Sequence, residues 1–447
     1  MKLHHFRYEK MYVALLGAAA GLALLGFCFS TPTEIVRGLY DIATRGDVLI
    51  TDYMETAGMG AAFVNAALIT AISVLLLYAA RDPVNGFTLV TVGLMAGFAF
   101  FGKNIFNIWP ILAGSWLYAK VKREPFSKYV SVALLSTSLS PLVSYVMLET
   151  GDSIRPLEAA LVGLLIGFVM PSLAAYTFRI QNGMNLYNAG FACGVLAMVL
   201  VPILSAYGRT PESVLYWSTG HNGVLAPILY GLCAVLAAAA FFLDPSVWKT
   251  YLALLKTSGR APSDYLRAFG TPAVLLNAAV NGVIATSYVL LTGGDLNGPT
   301  LGGVITIISF GAWGKHAGNI TPLMLGVLIG GVTNHLPFNT PSLQLAGLFC
   351  TTLAPVAGVF GWPAGLLAGF LHSCVVLRVG MPLEGVNLYN NGFSGGMIAM
   401  VLYPFLTAML KKRKPGFLEE DYYNVFEEDA PLAPEDVDHH PDEERMG

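Results

Sequence analysis

One stretch occurs twice in this chain, and both copies sit among long uncharged apolar runs. Residues 183–202 read GMNLYNAGFACGVLAMVLVP and residues 385–404 read GVNLYNNGFSGGMIAMVLYP, with 13 of 20 positions identical. That identity at a fixed offset marks an internal repeat. The duplication extends outward. At an offset of 212, Tyr53, Gly58, Asn65, Asn85, Gly86, Gly102, Lys103, Asn107, Pro110, Gly114 and Pro125 recur as Tyr265, Gly270, Asn277, Asn297, Gly298, Gly314, Lys315, Asn319, Pro322, Gly326 and Pro337. Thr137–Pro141 returns as Thr351–Pro355.

Composition tells what is being repeated. The 447 residues are 55% hydrophobic and 12% charged, against about a quarter charged in soluble domains. The apolar runs are continuous rather than alternating, which indicates membrane-spanning helices and not a β-barrel. The fold class is therefore an all-α polytopic membrane protein of two repeats, at 1–206 and 222–410. The N-terminal run Met11–Ser30 is long enough to span and carries no convincing cleavage site. Net charge is -3, but the segment 415–447 holds 12 acids and one base, so the remainder carries +8. That acidic, proline-containing tail is expected to be disordered and cytoplasmic, and to solubilise the chain or bind a partner. Cys28, Cys193, Cys233, Cys350 and Cys374 show neither metal spacing nor a disulfide framework and read as packing residues.

Candidate spans in the first half are 11–30, 57–80, 86–101, 105–119, 129–148, 157–178 and 188–206. In the second they are 222–243, 268–292, 299–313, 317–334, 342–360, 363–380 and 392–410. The third and fourth of each half are shorter than the ~20 residues a crossing needs. They are split by Gly102-Lys103-Asn104 and Gly314-Lys315-His316, which suggests half-helices or a re-entrant pair that enters and leaves on one side. Basic clusters then orient the chain. Lys2, Arg7 and Lys10, Lys120–Lys128, Lys249–Arg267 and Lys411–Lys414 all fall on the cytoplasmic side if each repeat makes five net crossings. An odd count inverts the second repeat and leaves both termini cytoplasmic in a plasma membrane. The acidic loops 31–56 and 149–156 then lie outside; Arg378 is the exception to the pattern. Inverted repeats of broken helices are a transport architecture.

The sharpest candidate site residues are Lys103 and Lys315, in GKNIFNIWP and GKHAGNITP. A charge at membrane depth costs at least about 2.5–3.5 kcal/mol, yet it occurs twice at equivalent positions. Each precedes a half-helix whose N-terminus offers free N–H groups, so cation and helix end together suit an anion or carbonyl oxygen. Against this stands simple snorkelling to an interface. Asn107 and Asn319, one turn in, are placed to donate further bonds. The NLYN motifs add Asn185, Tyr187 and Asn188, and Asn387, Tyr389 and Asn390, uncharged donors and acceptors suited to a polar solute or to capping helices. Asn65 and Asn277 read as buried joints between helices. Glycines 190, 194, 392 and 396 read as close-packing positions.

Other chemistry has little support. His221, His316, His335 and His372 lack metal spacing, no nucleophile–base set is evident, and no nucleotide fingerprint occurs. No enzyme activity, cofactor, metal or nucleic acid is expected. The expected partners are the lipid bilayer, a small-molecule or ion substrate, and a second copy of the chain. No Asp or Glu lies in the middle of a span, Glu158 and Glu384 being at ends, which favours a channel or exchanger.

The NLYN-x-GF-x-x-G-x-x-AMVL repeats with GK-x-x-x-NI-x-P upstream resemble a prokaryotic membrane family catalogued as a domain of unknown function, over nearly all of residues 50–410. The resemblance implies a two-repeat membrane protein and no particular activity. A weaker architectural likeness is to urea channels, through Asp82-Pro83-Val84-Asn85-Gly86, Gly183-Met184-Asn185-Leu186-Tyr187-Asn188 and the Leu336–Pro341 stretch. The expectation is a transporter or channel for a small anion, with the lysines and half-helix ends as its site. The alternatives are a channel for a neutral, urea-like solute and a membrane-embedded enzyme or signalling scaffold.

Overall fold

A computed structural model describes residues 2–148, 155–380 and 383–413. The expected acidic tail at 415–447 and most of the acidic loop 149–156 lie outside the described residues. The first repeat contains α1 (Lys2–Phe29), α2 (Pro32–Thr44), α3 (Tyr53–Ala57), α4 (Met59–Ala80), α5 (Gly86–Phe98), α6 (Trp109–Lys122), α7 (Val130–Ser136), α8 (Ser140–Leu148), α9 (Arg155–Gln181) and α10 (Asn188–Ala206). The second contains α11 (Asn222–Leu243), α12 (Val247–Leu254), α13 (Tyr265–Leu291), α14 (Gly298–Ser309), α15 (Ala317–Thr333), α16 (Pro341–Phe349), α17 (Ala354–Phe360), α18 (Trp362–Val379) and α19 (Asn390–Arg413). Among the described residues, ten helical stretches are long and apolar enough to cross a membrane, and three shorter apolar helices accompany them. The chain is an all-helical, multi-pass membrane protein.

Equivalent sequence folds equivalently. Asn85 and Asn297 each cap the following helix in a reciprocal box with Thr88 and Thr300, satisfying N–H groups that a helix start leaves open. α3, Gly58 and α4 recur as the single helix α13, kinked at Gly270. The spans 130–148 and 341–360 are each interrupted by a 3-10 turn, at Thr137–Leu139 and Cys350–Leu353. The short pair is broken over a longer stretch than its hydropathy suggests: helix stops at Phe98 and resumes only at Trp109. Gly102 and Gly314 adopt positive φ there, 91° and 79°, a region where a Cβ is strained. The Asn104 and Asn107 side chains hold the intervening loop open: Asn104 Oδ1 accepts from the N–H groups of Phe106 and Asn107, Asn107 Oδ1 accepts from Asn104 N–H, and Asn107 Nδ2 donates to Gly102 O. Two helices, α2 and α12, fall between the spans read from the sequence. Within the loop 31–56, the Thr31–Glu34 capping box starts α2, whose Ile35, Gly38 and Ile42 are buried.

Helices α5 and α14, equivalents of each other, pack antiparallel at the centre. Gly86 at the start of α5 lies against Ala312 just beyond α14, Gly97 against Gly302, and Gly298 at the start of α14 against Phe100. Each start is capped from the other repeat. Asp264 accepts from Gly86 N at 3.1 Å and from Arg267 N at 3.0 Å. Asp52 accepts from Gly298 N at 3.2 Å, Met54 N at 2.9 Å, and the N–H and hydroxyl of Ser218. These contacts define two ends of the molecule. The Arg260 end gathers Gly86, Asp264 and Asn182, whose carbonyl accepts from Arg260 Nε. The Asp52 end gathers Ser218, Gly298 and the Leu49–Gly385 backbone bond. Helix α6 runs parallel to α9, with Pro110 against Gly163, the Ser115 hydroxyl on Gly167 O and Tyr118 Oη 2.8 Å from Ser172 Oγ, so its last turn, carrying Lys120 and Lys122, points to the Arg260 end. Chain enters and leaves the short pair from one end.

The caps give a first prediction. Losing a capping carboxylate costs about 1 kcal/mol. Asp52→Ala, which strands four donors, is expected to destabilise the fold about twice as much as Asp264→Ala, which strands two. Thermal unfolding in detergent measures this; equal losses would show that the cross-repeat caps do not hold the ends together.

Candidate functional site

The two NLYN segments cross at the centre of the molecule, each held by the other repeat. Asn185 Nδ2 donates to Gly392 O at 3.1 Å, and Asn387 Nδ2 donates to Gly190 O at 3.2 Å. The backbone N–H of Leu186 donates to Thr352 O, and that of Leu388 to Ser138 O. Thr352 and Ser138 donate their hydroxyls to Asn185 Oδ1 and Asn387 Oδ1. Every bond has a counterpart with the repeats exchanged, so a pseudo-two-fold axis passes through this crossing. Close approach requires glycine: a Cβ on Gly190 would lie 2.6 Å from Tyr389 Cβ, and one on Gly392 2.9 Å from Tyr187 Cβ.

The buried lysines obey the same symmetry. Lys103 Nζ donates to the Tyr389 hydroxyl at 2.7 Å and lies 3.3 Å from Met95 Sδ. Lys315 Nζ donates to the Tyr187 hydroxyl and, at 2.8 Å, to Thr351 Oγ1. Both side chains are fully buried, and among the described residues neither has a carboxylate partner. Each ammonium rests on aromatic faces instead. Lys103 Nζ is 4.7 Å from the Tyr389 ring centroid and 5.8 Å from that of Phe98. Lys315 Nζ is 4.3 Å from Tyr187 and 4.5 Å from Phe310. Such contacts contribute roughly 0.5–2 kcal/mol each, enough with the hydroxyls to offset much of the burial cost. They exclude snorkelling, because both lysines point inward.

Two cavities flank the crossing. One, of about 300 Å³, runs from Asn85, Ala261 and Trp313 near the Arg260 end to Tyr187, Tyr389 and Phe349, with Asn185 and Asn188 in its wall. The other, of about 240 Å³, runs from Leu49, Ile50 and Ser213 near the Asp52 end to Phe349 and Leu388, with Asn387 and Asn390 in its wall. Among the described residues, no charged side chain lines either. Both lysines stand behind the tyrosines, one hydroxyl away from the first cavity.

The remaining expected site residues are placed elsewhere. Asn107 donates to Gly102 O, Ser144 Oγ and Asp47, and Asn319 donates to Gly314 O while accepting from His316 N. Both are used up holding the breaks and face neither cavity. Asn188, although it lines the first cavity, spends its side chain tying α10 to α9 through Ala174 O and Thr177. Asn65 and Asn277 join helices, donating to Ala99 and Lys103 carbonyls and to Gly311 and Lys315 carbonyls.

Sequence reasoning missed several groups. Asp52 and Asp264 recur at the same offset as the tyrosines after them, so the signal was present. The Ser138 and Thr352 hydroxyls lie within the recognised Thr137–Pro141 repeat. Asp47 carried no signal, since Gly259 stands at its counterpart. It accepts from Tyr53 Oη at 2.6 Å, Ser144 Oγ at 2.5 Å, and Asn104 and Asn107 Nδ2 at 3.0 Å each. Burial pushes its carboxyl up to about 7, against the pull of those donors. The folded state therefore binds this proton more tightly than the unfolded chain does. The resulting stability is complete below about pH 4 and is lost as pH rises toward 7, at up to roughly 1.4 kcal/mol per unit. Unfolding followed from pH 5 to 8 is expected to show this fall in the wild type and a flatter profile in Asp47→Asn; parallel profiles would refute it.

A family model described as Protein of unknown function (DUF1576) matches residues 31–206 and again 243–408. The chain belongs to the DUF1576 family. The two matches coincide with the two halves of the structure, each beginning at the end of its first long helix, α1 or α11. The recurring DUF1576 unit thus contains the GK break, the 3-10 turn and the NLYN segment, the three interruptions that meet at the crossing. No curated protein and no solved structure matches the chain.

Proposed function

We propose that this DUF1576 protein is a membrane transporter for a small anionic solute, bound where the two NLYN segments cross. The repeats lie in the bilayer with opposite orientation, and both termini are cytoplasmic. The antiparallel packing of α5 and α14 supports the inversion, and the basic residues gathered at the Arg260 end support that orientation. One observation carries the functional reading: each repeat's buried lysine donates to the other repeat's tyrosine, at the inner end of the first of two cavities that approach from opposite ends. Two cavities that stop short of each other at one crossing suit alternating access, because a rocking of one repeat against the other closes the first as it extends the second. The ammonium groups supply positive charge and the tyrosine hydroxyls present it to the solute.

A second reading has its own support. The cavity walls carry amides and aromatic rings but no charge, which suits a small neutral polar solute. Uptake of radiolabelled acetate, sulfate and urea into proteoliposomes, with and without a membrane potential, separates the two. Potential-dependent anion uptake upholds the first reading; urea permeation indifferent to potential upholds the second, and no flux of either kind overturns transport.

A further inference from the structure

The two lysines are equivalent in position but not in surroundings. From Lys315 toward the Asp52 end, α13 presents Asn277, Asn281 and Tyr288, and the facing α16 and its 3-10 turn present Gln344, Gly347 and Thr351. Asn277 and Asn281 both donate to the Lys315 carbonyl. Thr351 accepts from Lys315 Nζ. Tyr288 Oη sits against Gly347, where any Cβ would collide. Gln344 closes the row, donating to Thr292 Oγ1 at the end of α13 and to Phe338 O in the loop before α16. Asn277 Oδ1, Asn281 Oδ1, Tyr288 Oη and Gln344 Oε1 are buried without a hydrogen-bond partner. Unpartnered polar atoms at such depth cost about 1–3 kcal/mol each, and ordered water is the ordinary remedy.

In the first repeat the positions equivalent to Asn281, Tyr288 and Gln344 are Ile69, Leu76 and Val130. Asn65 and Thr137 stand at the positions of Asn277 and Thr351, and Asn65 Oδ1 is likewise buried without a partner, so the row from Lys103 is polar at its start and apolar beyond Asn65.

We infer that the second repeat contains a file of water reaching from Lys315 to the Asp52 end, by which Lys315 exchanges a proton and couples proton movement to transport. The step is a simple transfer: the ammonium gives one proton to a water of the file, leaving a neutral amine and a hydronium that passes outward. The amine then accepts from the Tyr187 or Thr351 hydroxyl. The groups facing Lys315 Nζ are Tyr187 and Phe310, Thr351 and Cys350, and none is a carboxylate, so no fixed negative charge pins the proton there. Losing the ammonium's charge beside Tyr187 releases a bound anion. The solute cavity containing Tyr187 runs toward the Arg260 end and the file toward the other, so proton and solute reach the same lysine from opposite sides. This coupling rests on the transport reading above; the file itself does not.

Reductive methylation of the detergent-solubilised full chain, followed by mass spectrometry, tests the file without any solute. Lys315 is expected to be methylated about tenfold faster than Lys103. Replacing Asn281 and Gln344 by their first-repeat counterparts (Asn281→Ile with Gln344→Val) should bring Lys315 down to the rate of Lys103 while exposed Lys249 is unaffected. In a cysteine-free background, Asn281→Cys should react with a membrane-impermeant cationic thiosulfonate from one side of the membrane, and Ile69→Cys should not. Equal methylation of both lysines, or equal labelling of the two cysteines, overturns the file. A file that survives while no anion is taken up overturns the transport reading alone.

Discussion

Lys103→Met and Lys315→Met together are expected to reduce anion flux about 30-fold or more in proteoliposomes while leaving the fold as stable as before. The two halves of that expectation have one cause. Methionine fills nearly the same volume and keeps contact with the rings of Phe98, Tyr389, Tyr187 and Phe310. It removes a charge whose burial costs about 2.5–3.5 kcal/mol at membrane depth, so the loss of cation–π and hydroxyl contacts is offset by relief of desolvation. An anion that relied on the ammonium loses about 2–5 kcal/mol of interaction, which is 30-fold or more in rate or affinity at about 1.4 kcal/mol per decade. Tyr187→Phe and Tyr389→Phe, which keep the charge and remove only the hydroxyl, are expected to be milder. Unchanged flux in the double variant would remove the lysines from the mechanism. A collapse of stability along with flux would make them structural instead.

The second large effect concerns the crossing itself. Asn387→Ala leaves Gly190 O and the Ser138 hydroxyl without their partner and the N–H of Tyr389 without its Asn387 Oδ1 contact. Asn185→Ala does the same to Gly392 O and Thr352. Breaking a buried network of this kind costs on the order of 2–5 kcal/mol, because low-dielectric surroundings offer no water in exchange. Each single variant should unfold at clearly lower temperature or denaturant than Asn188→Ala, which touches only α9 of its own repeat. Identical shifts for Asn188→Ala and Asn387→Ala would mean that the inter-repeat bonds carry no special weight. The double variant should fall short of additivity, since both side chains hold one contact between two segments.

Much of this architecture is legible along the chain. The duplicated GK and NLYN stretches, with apolar runs between them, were enough for a two-repeat membrane fold with a broken short pair. Residue type at a fixed offset is a one-dimensional signal, and Lys103, Lys315, Tyr187 and Tyr389 show it plainly. Their pairing was not legible, because nothing local says that Lys103 meets the tyrosine of the other copy, 286 residues away. Asn107 and Asn319 mislead for a related reason. An amide one turn into a half-helix serves a ligand or the backbone equally well, and the carbonyls of Gly102 and Gly314 decide the matter by lying within reach. Asp47 is invisible to the repeat, since only one copy has it, and the loop that carries it must fold back against the break before it has a partner.

Sequence alone determined the class: uncharged runs of spanning length admit helices in a bilayer, and a doubled motif forces two copies of one unit. Tertiary structure alone decided which groups meet. Contacts across a pseudo-two-fold axis depend on how α5 and α14 pack, and that packing fixes the lysines behind the tyrosines and leaves a longer polar row beside Lys315 than beside Lys103.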